Sequence, residues 1–261
     1  MEQRIENIYN KSLAQHQEFS ALDKNELLKA IELGLNEINK MEYLSEKENI
    51  ESSLTKDIAH KIAVLWDFSG PGVYSGPDRD DRYKDIPWTR NMERDRLNYT
   101  FAIFKKITKL LESKMNIFLR KNKPIILYNG TIDENNKLRN VIKTGEVDIP
   151  KEKFIIIDNE NIHSTNDQIK TIIWPKELHK HGKEIGLISH APHLWRIVHV
   201  LNQYDNLPKD MKIRLFPIKT PENKTKEYAE MEIMGLLYYS YVAKEKSAST
   251  KAYPYIIHGE K

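Results

Sequence analysis

The sequence predicts an α/β protein: a parallel sheet of about five strands, covered by helices on both faces and preceded by a helical extension. Three observations predict it. Short, continuously apolar runs recur at Ile62–Trp66, Ile125–Tyr128, Phe154–Ile157, Ile185–Ile188 and Ile213–Phe216, with too little alternation for half-exposed strands. Amphipathic segments of helical length separate these runs, and residues 1–60 contain no strand candidate. Continuous apolar strands alternating with helices imply parallel strands buried on both faces. The expected organisation is a helical extension over 1–60, an α/β domain over 61–243 and a polar tail over 244–261.

The elements follow in order. Asp23 and Glu26 make a capping pair, after which Leu27, Leu28, Ile31, Leu35 and Ile38 recur at helical spacing. A long helix is expected from near Asn91, with Leu97, Phe101, Phe104, Ile107 and Leu111 on one face. A shorter one carries Leu138, Val141 and Ile142 and stops at Gly145. The next starts at Ser164 or Thr165, where Ser164 and Asp167 suit a helix cap, and is interrupted by Pro175. Pro192 suits the first helical position of another, and the last spans about Lys224 to Ala243. The tail around Tyr253-Pro254-Tyr255 has no assignable pattern.

Composition narrows the function. The chain has 261 residues and no cysteine, which excludes disulfides, cysteine-ligated metals and thiol nucleophiles. With 41 Lys+Arg interleaved among 38 Asp+Glu it lacks the basic stripe of a nucleic-acid binder. No run approaches the ~18 apolar residues of a membrane span. The opening Met-Glu-Gln-Arg-Ile-Glu-Asn has no basic patch leading into an apolar stretch, so a cytoplasmic protein is expected.

In an open parallel sheet, ligands bind beyond the carboxyl ends of the strands. That rule selects Asp67-Phe68-Ser69-Gly70, Asn129-Gly130-Thr131, Asp158-Asn159-Glu160 with His163-Ser164-Thr165-Asn166, Ser189-His190-Ala191-Pro192-His193, and Lys219-Thr220. The connection from Asp67 to Trp88 carries Arg79, Asp80, Asp81, Arg82 and Tyr83 and is read as a lid. Its Gly70-Pro71-Gly72 run is no dinucleotide fingerprint, because no helix starts there and no acid ends the second strand. His193 and Arg196 share a helix face near a helix mouth, where unpaired amides attract anions. His190 and His193 lack an identifiable third ligand, so no metal site is expected.

The order of these motifs resembles the domain-of-unknown-function family 218, the group of YdcF-, SanA- and ElyC-like bacterial proteins, over residues ~60–220. Arg96-Leu97 through Phe104 is similar to that family's Arg-led helix, and Asn129-Gly130-Thr131 to its glycine-bearing strand end. Thr165, Asp167 and Gln168 fall on its helix-start motif, and Ser189 to Ile197 on its Ser-x-x-His-x-x-Arg segment at the spacing of His193 and Arg196. The resemblance implies a three-layer α/β/α Rossmann-like domain and, through a YdcF-like member, S-adenosylmethionine as a candidate ligand.

The leading expectation is a pocket for a small anionic or nucleotide-like molecule. Ser69, Arg96, Asn129, Gly130, Thr131, Glu160, Thr165, Asn166, Ser189, His190 and Arg196 are its candidate binding residues. The alternative is a hydrolase or transferase acting on a phosphorylated small molecule, with His193 as acid or base and Asp67 as its partner. A third is an interaction module using the helical extension and the Tyr238, Tyr239 and Tyr241 cluster.

Overall fold

A computed structural model describes residues 1–47, 53–68, 87–112, 123–176, 178–180, 182–222, 224–243 and 248–260. Ser69, the proposed lid between Asp67 and Trp88 with its charged residues, and His181 lie outside the described residues or have no described side chain. The helices are α1 (Glu2–Gln15), α2 (Lys24–Lys47), α3 (Lys56–Lys61), α4 (Pro87–Glu112), α5 (Ile132–Thr144), α6 (Thr165–Lys170), α7 (Ala191–Leu201) and α8 (Thr225–Leu237). The strands are β1 (Ile62–Asp67), β2 (Ile125–Tyr128), β3 (Phe154–Ile156), β4 (Glu184–His190), β5 (Lys212–Ile218) and β6 (Tyr255–Ile257).

The described residues form a six-stranded sheet in the order β3-β2-β1-β4-β5-β6, with every pair parallel. Each apolar run of the sequence is a strand of this sheet. The sixth strand, Tyr255–Ile257, comes from the tail and pairs with Ile213–Leu215. Strand order reverses between β1 and β4, the switch point of a doubly wound sheet. There Asp67 lies beside Ile188 of β4 and Tyr128 of β2.

Alternation along each strand sends side chains to two cores. Leu65, Ile126, Tyr128, Ile188 and Phe216 meet Phe101, Phe104 and Ile107 of α4 and Leu138 of α5. Val64, Trp66, Leu127, Leu187 and Leu215 meet Leu194 and Ile197 of α7, Ile233 of α8, and Leu27, Ile31, Leu35 and Ile38 of α2. The N-terminal helices are therefore part of one helical layer, with α2 packed on α7, α8 and β5. Burying Ile31, Leu35 and Ile38 completely contributes ~1.5–3 kcal/mol each.

Local signals act as expected. Asp23 Oδ1 accepts from the amides of Asn25 and Glu26 at 2.7 and 3.3 Å. Glu26 itself instead accepts from the Tyr241 hydroxyl at 3.1 Å. Gly145 ends α5 with φ at 75°, the left-handed cap that glycine adopts without steric cost. The α8 helix continues into a π turn over Tyr238–Val242. Tyr238 stacks on His16 with ring centroids 4.3 Å apart, so Tyr238 and Tyr241 tie the N-terminal helices to α8. No helix among the described residues is long and apolar enough to cross a membrane.

Candidate functional site

The carboxyl edge at the switch point holds a buried cluster of polar and charged side chains. Asp67 ends β1 and is fully buried. Its Oδ2 accepts a 2.7 Å hydrogen bond from Thr100, and its Oδ1 lies 3.8 Å from Arg96 Nε. Arg96 and Thr100 sit four residues apart on α4, so one helix face delivers both to the end of β1. Arg96 is 1% exposed, yet its Nε and Nη2 have no hydrogen-bond partner among the described residues.

On the other side of the switch point, β4 runs directly into α7. Ser189 and His190 end the strand, and Ala191 and Pro192 start the helix. His193 is fully buried and held at both ring nitrogens, with Ser189 Oγ 3.1 Å from Nδ1 and Thr165 Oγ1 2.9 Å from Nε2. Burial, reinforced by Arg196, Arg96 and His190, keeps its pKa well below the usual histidine value. The ring is therefore neutral near pH 7, with one nitrogen donating to a hydroxyl and the other accepting from one. His190 is kept neutral in the same way, by burial and then by Arg96. Its Nδ1 has no hydrogen-bond partner among the described residues, and its ring meets Tyr228 edge-on at 6.3 Å.

The pair of His193 and Arg196 does converge, on Thr165. Arg196 Nη2 donates to Thr165 Oγ1 at 3.4 Å, while its Nε is ion-paired with Glu232 of α8. Burial opposes the Arg196 charge, but Glu232, Tyr239 and Tyr228 outweigh it and raise the pKa. Burial pushes the Glu232 carboxyl up despite Arg196, and the Tyr228 hydroxyl goes well above its usual value through burial and Glu232.

Several sequence expectations need correction. His193 has no nitrogen left for Asp67, because Ser189 and Thr165 occupy both. Asn129 holds β2 to the neighbouring elements. It accepts from Trp66 Nε1 at 2.9 Å and donates to the Gln168 carbonyl at 2.7 Å, while Gln168 returns a bond to the Asn129 carbonyl at 3.1 Å. Thr131 is the N-cap of α5, in a reciprocal capping box with Glu134. A Cβ at Gly130 would lie 2.7 Å from Glu134 Oε2, so the folded-back cap itself requires glycine there. Glu160 is exposed on the turn after β3. Asn166 is half-buried in the first turn of α6, next to Thr165.

The structure thus brings together Asp67, Arg96, Thr165, Ser189, His190, His193 and Arg196. It adds Thr100, Gln168, Tyr228 and Glu232. Glu232 had a signal in the sequence, as an acid set directly among Met231, Ile233 and Met234. No group of three acidic or histidine side chains among the described residues could hold a metal ion.

Fold and cluster define the class: a doubly wound α/β protein with buried charges at its topological switch point. No protein-family model, curated protein or solved structure matches the chain.

Proposed function

We propose that this protein binds a small anionic or nucleotide-like molecule at the carboxyl edge of the sheet, with S-adenosylmethionine among the candidates. One observation carries the reading: the buried guanidinium of Arg96 has two nitrogens without hydrogen-bond partners among the described residues. Leaving buried donors unsatisfied costs ~1–3 kcal/mol each, more when charged, and an anionic acceptor removes that cost. The amino end of α7 reinforces it. That helix has 11 residues and no side-chain cap, so its unpaired amides and positive dipole end favour an anion. The residues at which the sequence resembles family 218 motifs, Arg96, Thr165, Gln168, His193 and Arg196, also meet in this region. The cysteine-free composition suits a cytoplasmic setting.

Thermal unfolding with a panel of S-adenosylmethionine, nucleoside phosphates and phosphosugars tests the proposal. A true ligand at ~100 times its Kd stabilises the fold by ~2.7 kcal/mol. Arg96→Met should abolish that shift. A flat response across the panel, or an equal shift in the variant, refutes the reading.

A second reading is a hydrolase or transferase acting on a phosphorylated small molecule. The 3.1 Å contact between Ser189 Oγ and His193 Nδ1 favours it, since a neutral imidazole beside a hydroxyl is placed to act as a base. Turnover of p-nitrophenyl phosphate that disappears in His193→Ala would promote this reading. Turnover indifferent to that substitution, or none at all, would remove it.

A further inference from the structure

Away from the switch point, the sheet ends at β3, whose outer edge no described strand pairs with. Parallel pairing uses alternate residues: the Ile157 amide donates to the Tyr128 carbonyl at 2.9 Å, so Ile155 and Ile157 face β2. Phe154 and Ile156 consequently turn their backbone groups outward. The Phe154 amide closes the preceding turn onto the Lys151 carbonyl. The Phe154 carbonyl and both backbone groups of Ile156 take no part in the ladder, since β3 pairs with β2 alone among the described strands.

The side chains of the same two residues floor a groove. A cavity of about 580 Å³ runs between this edge and α5, lined by Phe154, Ile156, Ile142, Arg139, Lys143 and Lys151. Its floor is apolar, its rim is cationic, and no carboxylate lines it. Arg139 is ion-paired to Asp158 at 2.6 Å, whereas no ion pair engages Lys143 or Lys151 among the described residues.

An open edge strand beside a helix, with the groove between them, is the geometry in which an extended peptide adds a strand. Backbone bonds hold such a peptide, and every second side chain enters the groove. We propose that this face binds an extended acidic peptide segment of a partner protein, paired to β3 through Phe154 and Ile156. Apolar side chains of the peptide occupy the floor over Ile142, and its acids meet Lys143 and Lys151. The surface is independent of the anion site at the switch point.

Selection of a displayed random octapeptide library on the full chain tests this. Enriched peptides should carry apolar and acidic residues together on one strand face, two positions apart, and Lys143→Glu combined with Lys151→Glu should weaken them at least tenfold. Ile156→Pro removes the outward amide without touching the pairing to β2, and should weaken them comparably. The Ile156 amide should exchange more slowly with peptide bound. The proposal is overturned if nothing is enriched, if enriched peptides are indifferent to the charge reversals, or if a single-stranded oligonucleotide binds there in their place.

Discussion

Two buried arginine–carboxylate pairs sit at opposite edges of the same sheet, and they are built differently. At the amino edge, Arg214 of β5 grips Glu184 of β4 with Nε to Oε2 at 2.6 Å and Nη2 to Oε1 at 3.3 Å. Both residues lie on adjacent hydrogen-bonded strands, so their spacing is fixed by the ladder. At the carboxyl edge, Arg96 reaches Asp67 from a helix, stays 3.8 Å away, and leaves two nitrogens without a partner among the described residues. The first pair is a closed clasp whose chemistry is used up within the protein. The second retains capacity for an acceptor from outside. Burial and charge are alike in the two; saturation distinguishes a structural pair from a candidate binding pair.

The largest test of that distinction is stability. Removing one partner of a saturated buried pair leaves an uncompensated charge, so Arg214→Met should cost ~3–5 kcal/mol in chemical denaturation. Arg96→Met should cost less, ~1–2 kcal/mol, because the pair is loose and Thr100 still donates to Asp67. Equal losses, or a larger loss at Arg96, would break the comparison and make both pairs structural.

Acidification sharpens it next. His258, beside the amino-edge clasp, has its pKa lowered to about 4 by burial and then by Arg214, from an ordinary 6.5. His190 and His193 at the carboxyl edge are lowered too. Above pH ~6.5 both folded and unfolded chains hold these rings neutral and pH has no leverage. As pH falls below that value the unfolded chain takes up protons that the folded chain refuses, so stability declines. His258 alone should account for ~3 kcal/mol lost by pH 4, read as the fall in unfolding free energy between pH 7 and pH 4. His258→Gln should flatten that slope. A bound anion should flatten the share due to His190, because it favours the protonated ring.

What the sequence made legible was periodicity and local chemistry. The five apolar runs, the cap at Ser164, the stop at Gly145 and the start near Pro192 are each encoded within a few residues, and each falls within one or two residues of the expected place. The sixth strand was hidden because Tyr255–Ile257 is three residues long and offers no period to count. The carboxyl-edge residues could be named as candidates because the parallel-sheet rule locates loops. Their partners could not, since the Arg196–Glu232 and Asp67–Thr100 contacts join elements far apart in the chain. Asn129 and Thr131 show the converse ambiguity. A polar residue at a strand end satisfies the rule for a ligand contact and equally the rule for a cap, and only geometry separates the two.

The smallest expected effect falls on that ambiguity. Thr131 Oγ1 accepts from the Glu134 amide at 3.4 Å, and Glu134 Oε2 accepts from the Thr131 amide at 2.8 Å. Thr131→Ala deletes the first bond, together with the 3.1 Å bond that the hydroxyl donates to Glu134 Oε2, and spares the second, which needs only the backbone. The cost should therefore sit at the low end for a lost cap, ~0.5–1 kcal/mol, and Thr131→Ser should restore most of it. Any ligand identified at the switch point should bind the alanine variant with unchanged Kd, measured by titration calorimetry. A residue acting on ligand would give the opposite pattern, with Kd weakened and unfolding free energy intact. That outcome would return Thr131 to the site and extend the unsaturated edge from β1 and β4 across to β2.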